Sequence, residues 1–327
     1  MMMMSMKPTV STTVLMASDA RTETPIAKVR PILKWAGGKR QLLPTLRRYY
    51  PAAFSRYVEP FLGSGAVFLD CHNQGLLDGR QVQLSDINAD VIGCYRMVRD
   101  DVESVIQALS ALEAGHRQDG TRHFYGVRDG QFNALRRDVH ASAEPAKAYT
   151  PALAAMLIYL NRTGYNGLFR LNSSGGFNVP AGRYPKVTIC DAINLKRLSA
   201  ALRRPGLTVE VSGFEDALGT GRAADFVYLD PPYAPVSRTA HFTSYTAARF
   251  GPGEQARLQQ AVVRLARIGA SVLLSNSVAP DIRRLYATNL EARSVGLKAK
   301  QVEARRAINS RASRRGAVRE YLITNIV

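Results

Sequence analysis

The spacing of apolar positions changes along the chain, and each change marks an element. Residues 57–58, 81–84, 207–211, 225–229 and 270–275 are short apolar, β-branched runs bounded by Gly, Pro, Asp or Asn, and each predicts a strand. The run Phe226-Val227-Tyr228-Leu229 is apolar on both faces, as in a parallel strand buried from both sides. Residues 89–98, 102–114, 123–137 and 149–160 carry apolar residues at helical spacing instead, for example Val102, Val105, Ile106 and Leu109. This block is too long for one crossover between the second and third strands, so it predicts an inserted helical domain. Residues 164–184 hold Gly, Asn, Ser and Pro at turn spacing around short extended pieces, which predicts a hairpin-bearing loop. A helix is expected over 254–267, and 319–326 has the composition of an edge hairpin. Strands alternating with helices in this way predict a doubly wound α/β fold.

Residues 1–29 have no packing period and are read as a disordered extension. Val14-Leu15-Met16-Ala17 is too short for a signal peptide, and the only nearby positive charge is Lys7. The remaining boundaries are expected at 30–89 and 191–327 for two parts of one α/β domain, with the inserted domain at 90–190. No apolar run approaches the ~20 residues of a membrane span.

Charge adds a partner. Lys and Arg number 44 against 26 Asp and Glu, a formal net charge of +18, which points to a polyanion. Residues 161–190 contain no acid, and hold Arg162, Arg170, Arg183 and Lys186 among Tyr165, Phe169, Phe177 and Tyr184. Between Lys298 and Arg319 eight Lys or Arg face a single Glu. Both segments read as phosphate-contacting surfaces. Cys71, Cys94 and Cys190 are isolated and form no metal-ligand or disulfide pattern, so no metal is expected, and a reduced cytoplasm is.

Three motifs carry chemistry. The strand 225–229 ends in Asp230-Pro231-Pro232-Tyr233. Two prolines stop the sheet ladder and leave carbonyl acceptors open beside a carboxylate and an aromatic face. That set suits a flat heteroaromatic amine. A proline-rich strand exit without function is the plain alternative, but a given tetrapeptide arises by chance only about once per ~10⁵ positions. Upstream, Glu59-Pro60-Phe61-Leu62-Gly63-Ser64-Gly65 reads as strand, tight glycine turn and helix start, where the backbone can approach a ligand. Asp86 then ends the next strand, where doubly wound folds place an acid for ribose hydroxyls. Finally, Lys34-Trp35-Ala36-Gly37-Gly38-Lys39 holds the only Trp, and its glycines are expected to open a helix over 39–49 whose N–H groups face an anion.

Taken in order, KWAGGK, EPFLGSG, the insert segment Asn161-Arg162-Thr163-Gly164-Tyr165-Asn166-Gly167-Leu168-Phe169-Arg170 and DPPYAP resemble the Dam-type (D12 class, α-group) DNA adenine-N6 methyltransferases. Residues 177–184 and Ser275-Asn276 extend the resemblance. It implies a mostly parallel, seven-stranded class I methyltransferase sheet with an inserted helical target-recognition domain, so that 30–89 and 191–327 would be the catalytic domain and 90–190 the DNA-binding insert. It also implies S-adenosylmethionine as methyl donor and double-stranded DNA as substrate, with the site GATC. Asp230 and the Pro231 carbonyl would accept from the adenine N6 hydrogens, with Pro232 shaping the turn and Tyr233 stacking on a flipped base. Trp35, Ala36, Gly37, Gly38, Lys39, Phe61, Gly63 and Gly65 would line the methionine moiety, with Asp230 shared. Asp86 would hold the ribose, and Ile87 and Phe214 would sandwich the adenine, though ordinary core packing serves Phe214 as well. For DNA, Arg170 would read guanine and Lys34 the first guanine, while Tyr165 and Asn166 would wedge into the gap. Arg183 would contact DNA. Leu168 and Pro180 would touch a thymine methyl or serve as loop scaffolding. No obligate protein partner is suggested, and a monomer in the cytoplasm, on the nucleoid, is expected. The rival readings are a methyltransferase for rRNA or a protein amide, which usually carries Asn in place of Asp230, and a DNA-binding regulator with a decayed core.

Overall fold

The computed structural model describes residues 28–35, 37–235, 250–305 and 317–327. Residues 1–27 of the extension expected over 1–29, Ala36 and the central part of the basic C-terminal stretch (306–316) lie outside the described residues. Val29 is already part of the body, one residue before the expected boundary: its N–H donates to Asn73 Oδ1 (2.8 Å), and Asn73 Nδ2 donates to its carbonyl (2.9 Å).

Seven strands form one sheet: β1 (Arg56–Glu59), β2 (Gln81–Asp86), β3 (Leu207–Val211), β4 (Asp225–Leu229), β5 (Ser271–Ser277), β6 (Lys298–Arg305) and β7 (Ala317–Thr324). Their order is β3-β2-β1-β4-β5-β7-β6. The first five are parallel, and β7 runs antiparallel between β5 and β6. This is the mostly parallel class I methyltransferase sheet. The C-terminal strands do form a hairpin at the sheet's edge, but β7 lies inside it and β6 is the true edge.

The strand pleat divides the interior into two cores. Tyr57, Phe226, Tyr228, Leu273 and Leu322 face one, while Val58, Val227, Leu229, Val272, Leu274 and Ile323 face the other. Phe226 is fully buried against the rings of Tyr50, Phe54 and Tyr57 at 5.4–5.7 Å, a contact set whose loss costs about 3–5 kcal/mol on truncation to Ala.

The expected helix over 39–49 is broken. A 3₁₀ turn (Lys39–Gln41), helix α1 (Leu43–Leu46) and a second 3₁₀ turn (Arg47–Tyr49) replace it. Pro44 cannot donate to the turn before it, so it starts a new helix instead of continuing one. The aligned N–H cluster expected there does not form, and the Gly38 N–H donates to the Trp35 carbonyl (3.0 Å).

Helices α2 (Ala66–Asn73) and α3 (Ala89–Asp100) cover the first core. The long excursion between β2 and β3 continues through α4 (Val102–Val127), a π-helical turn (Arg128–Phe132), α5 (Asn133–His140) and α6 (Pro151–Thr163). Thr150 caps α6 by accepting from Leu153 N, and Pro151 sits in its first turn, where a missing N–H costs nothing. The chain then runs through the 164–184 loop to α7 (Ala192–Leu202). Helices α8 (Phe214–Gly219) and α9 (Pro252–Arg267) cover the second core.

Candidate active site

Strand β1 pairs with β2 on one side and β4 on the other, so the winding direction reverses between β1 and β4. The turns after β1, β2 and β4 therefore open into one crevice at the carboxyl ends of the strands. In the first, Gly63 (φ +46°) and Gly65 (φ +61°) adopt left-handed conformations that a side chain would strain. A Cβ on Gly63 would lie 2.6 Å from Trp35 Cδ1, so the indole packs directly on this turn. Asp86, at the end of β2, ties two turns together: Oδ2 accepts from Gly63 N and Oδ1 from Asn88 N, both at 2.9 Å. Burial pushes its carboxyl above the ordinary range, and the backbone N–H groups of Gly63, Asn88 and Ile87 pull it back.

Asp230 follows β4. Its Oδ1 lies 2.7 Å from Lys39 Nζ, a buried ammonium that also donates to the Gly37 carbonyl (2.5 Å) and sits 4.9 Å above the Tyr233 ring. Stripping an ammonium of water costs several kcal/mol, so this one is tenable only because carboxylate, carbonyl and ring all meet it. Burial raises the Asp230 carboxyl from its ordinary value, Lys39 lowers it, and the Glu320 carboxylate adds a smaller upward push. Tyr233 donates its hydroxyl to Glu320 Oε2 (2.8 Å) on β7, and burial keeps that phenol protonated.

The turn itself is gripped from behind. Gln255 Nε2 on α9 donates to the Pro232 carbonyl (2.9 Å), and Asn276 Nδ2 on β5 donates to Gln255 Oε1 (3.0 Å). Asn276 Oδ1 accepts from Ala234 N (3.3 Å), and Ser277 Oγ donates to the Ala234 carbonyl (2.6 Å). Among the described residues the Pro231 carbonyl receives no hydrogen bond, so an open acceptor stands beside the carboxylate.

Glu59, at the end of β1, is buried beneath the crevice. Burial carries its carboxyl up to about 8, against the hydrogen bonds it accepts from Tyr57 Oη (2.7 Å) and Phe68 N (3.0 Å). Phe214 is buried in an aromatic group with Phe61 (5.8 Å, stacked) and Phe250 (5.7 Å), whereas Ile87 is 60% exposed. Both flank the exits of β2 and β3, but Phe214 packs on Phe61, which makes the core reading of Phe214 as real as the ligand one.

The remaining candidates lie on the 164–184 loop, a hairpin whose arms meet at the bridges Gly164↔Ala181 and Leu171↔Phe177. Tyr165 is 41% exposed, and Asn166 holds a left-handed φ of +54° at the turn. Arg170 is exposed, with Nε on Asn178 Oδ1 (2.7 Å) and Nη2 on the Asn178 carbonyl (3.2 Å). Pro180 and Arg183 are exposed, while Leu168 is partly buried on the core, as scaffolding would be. Lys34 joins the two regions: Asn161 accepts from its N–H (2.7 Å) and donates to its carbonyl (2.8 Å), and its ammonium lies 4.4 Å above the Tyr184 ring. Burial, then the Arg162 charge, lowers the Lys34 pKa. Trp35 stacks on Phe169 of the hairpin at 5.7 Å.

Sequence reasoning assigned Lys39 to a ligand and missed its pairing with Asp230. It also missed Glu59, Gln255 and Glu320. A lone acid inside an apolar strand end was the available signal for Glu59; the other two carry none.

Residues 35–308 match the family D12 class N6 adenine-specific DNA methyltransferase. The chain is similar to the type II methyltransferase M.MjaIII of Methanocaldococcus jannaschii (36% identity, 91% of this chain, 99% of that one). It is also similar to the type II methyltransferase M1.LlaDCHI of Lactococcus lactis subsp. cremoris (33%, 91% and 95%). A third relative is the DNA adenine methylase of Escherichia coli K12 (34%, 90% and 95%).

Proposed function

The chain belongs to the D12 class N6 adenine-specific DNA methyltransferases, and on that footing we propose that it methylates a flipped adenine in duplex DNA, within GATC, using S-adenosylmethionine. The observation that carries the mechanism is the pair of acceptors at the β4 exit, the Asp230 carboxylate and the open Pro231 carbonyl. Adenine N6 has two hydrogens and a lone pair delocalised into the ring. Two acceptors, one for each hydrogen, turn that lone pair toward the methyl donor. Lys39 keeps Asp230 in its charged form, and Gln255, Asn276 and Ser277 hold the turn so that neither acceptor drifts. Tyr233 offers a ring face for stacking, worth about 1–3 kcal/mol per base. Because N6 cannot be reached inside a duplex, the base leaves the stack first. Once methylated, N6 sheds a proton, and Asp230, raised by burial, is the base beside it.

The crevice fits the cofactor. A carboxylate offers about four lone-pair sites, and Asp86 receives backbone N–H groups from Gly63, Asn88 and Ile87, which leaves capacity for a ribose hydroxyl. Gly63 and Gly65 keep the neighbouring turn free of side chains. When bound, S-adenosylmethionine supplies a methyl group on a sulfonium centre. Trp35, Gly37, Gly38 and Phe61 would line its methionine part, and Ile87 and Phe214 its adenine.

For GATC, the support is the resemblance of the 165–170 segment, with Arg170, Tyr165, Asn166, Lys34, Leu168, Pro180 and Arg183 as the DNA-facing set. The relatives include both DNA adenine methylases and type II methyltransferases, so the site is decided by experiment. Expression in a methylation-free host, followed by sequencing of plasmid DNA for N6-methyladenine, tests it. Modification at GATC is expected. A different motif would overturn the site, and unmodified DNA would overturn the activity.

A further inference from the structure

Resting on the reading of the 164–184 hairpin as the base-reading element, we infer that Arg128, Asn133 and Arg136 form a side-chain rail that sets the register of that hairpin and so its sequence discrimination. The second arm of the hairpin is hydrogen-bonded on both edges, with the alternation of a strand. Residues 176, 178 and 180 face the first arm: Gly176 and Pro180 accept from Asn172 N and Tyr165 N (both 2.8 Å), and Asn178 N donates to Arg170 O (3.1 Å). Both backbone groups of Phe177, and the carbonyls of Gly175 and Val179, face the other way and meet no strand there, while the Gly175 N–H turns back to the Asn172 carbonyl (3.0 Å). Arg136 Nη1 donates to the Gly175 carbonyl (2.6 Å), and Arg128 Nη1 donates to the Val179 carbonyl (3.0 Å). Between them the Asn133 amide takes both backbone groups of Phe177, accepting from its N–H (2.8 Å) and donating to its carbonyl (3.1 Å). A primary amide carries the same donor and acceptor as a peptide unit, so Asn133 stands in for one residue of a missing strand.

The π-helical turn makes the alignment possible. Five residues of α-helix sweep about 500°, which would leave the side chains at 128 and 133 roughly 140° apart. Here the Asn133 N–H donates to the carbonyl of Arg128 five residues back, the wide-turn pairing of a π-helix, and this brings the two side chains toward one face. Phe132, within the same turn, packs edge-on against Phe177 at 5.8 Å. Arg136 is anchored in turn by Asp90, whose carboxylate it meets at 2.8 Å, so the rail does not swing freely.

The link to discrimination is short. Asn133 fixes residue 177, and residue 178 is the one on which the Arg170 guanidinium rests. Among the described residues the Asn133 amide hydrogen-bonds only the Phe177 backbone, so it acts through the hairpin and is a positioning residue.

The test compares Asn133→Ala, Arg128→Ala, Arg170→Ala and the Asn133→Ala/Arg170→Ala double variant on duplexes carrying the preferred site or single-base changes. Asn133→Ala is expected to reduce discrimination at the base pair read by Arg170 by ~10-fold, within the range of one lost base contact. Maximal turnover on saturating DNA should stay within ~3-fold, and amide exchange at Phe177 should accelerate. The double variant should discriminate no worse than Arg170→Ala alone, because both losses act through one contact. Asn133→Asp, which turns a carboxylate oxygen toward the Phe177 carbonyl, should not restore discrimination. If Asn133→Ala fails to fold, Arg128→Ala, with the same expected direction, decides. Relaxed discrimination in Arg170→Ala with none in the rail variants would overturn the rail and leave the hairpin's role standing. Unchanged discrimination in all of them would overturn the hairpin's role, and the rail with it.

Discussion

In the crevice, the chemical groups are held by strand exits and by one another: Asp86 by the Gly63 and Asn88 amides, Asp230 by Lys39, Tyr233 by Glu320. In the hairpin, Tyr165, Pro180 and Arg183 stand exposed on a loop with two bridges, and among the described residues the Arg170 guanidinium hydrogen-bonds only Asn178 of the opposite arm. The difference follows the tasks. On the proposed function, methyl transfer would need acceptors fixed within fractions of an ångström, and Asp230 sits at the carboxyl end of a central strand. Base reading would need side chains that can reach into a groove, and the hairpin leaves them exposed while its backbone is fixed from behind.

The harshest way to break this contrast is Asp230→Ala. It removes an acceptor and strands a buried ammonium, so single-turnover methyl transfer is expected to fall by ~10²–10³-fold or more. The folded state should survive with a lower melting temperature, because Lys39 can swing toward solvent. Turnover within ~10-fold of the parent would show that the crevice is not where the chemistry occurs.

Lys39→Gln probes the same pair through pH. On the proposed mechanism activity requires Asp230 as a carboxylate, so it should be present above the raised pKa of that group and lost as pH falls through it. Lys39 holds that pKa down. Its removal should therefore move the acid limb of the kcat/KM profile to higher pH. An unmoved limb would mean that a different group sets it.

The mildest change is expected on the hairpin. Arg170→Ala should cost about 1–3 kcal/mol of discrimination at one base pair while leaving nonspecific binding and its salt dependence in place. An equal loss of affinity for every sequence would make Arg170 a phosphate contact and erase the division between the two regions.

Much of the frame was legible in the chain. The strands at 207–211 and 225–229 stood out because their apolar runs end in turn residues, and the four helical patterns of the insert have the right period. The Gly63–Gly65 turn between β1 and α2, and the place of Asp230 at the exit of β4, were legible because each is set by a few neighbouring residues. Lys39 with Asp230, and Tyr233 with Glu320, were not, since each pair depends on the order of strands in the sheet, which side-chain spacing does not encode. The break at Pro44 had a signal that the apolar pattern around it outweighed. The π turn at 128–132 had none, because one wide turn leaves the hydrophobic period almost unchanged.

One ring ties the two regions together. Trp35 lies against the Gly63 turn on one side and stacks on Phe169 on the other, and ring contacts, tilted and then edge-on, continue through Phe177 to Phe132. The hairpin is therefore not a cassette. A hairpin grafted from a relative to change the target sequence must bring aromatic residues at 169 and 177, or the graft will unseat Trp35 from the Gly63 turn along with the specificity it replaces.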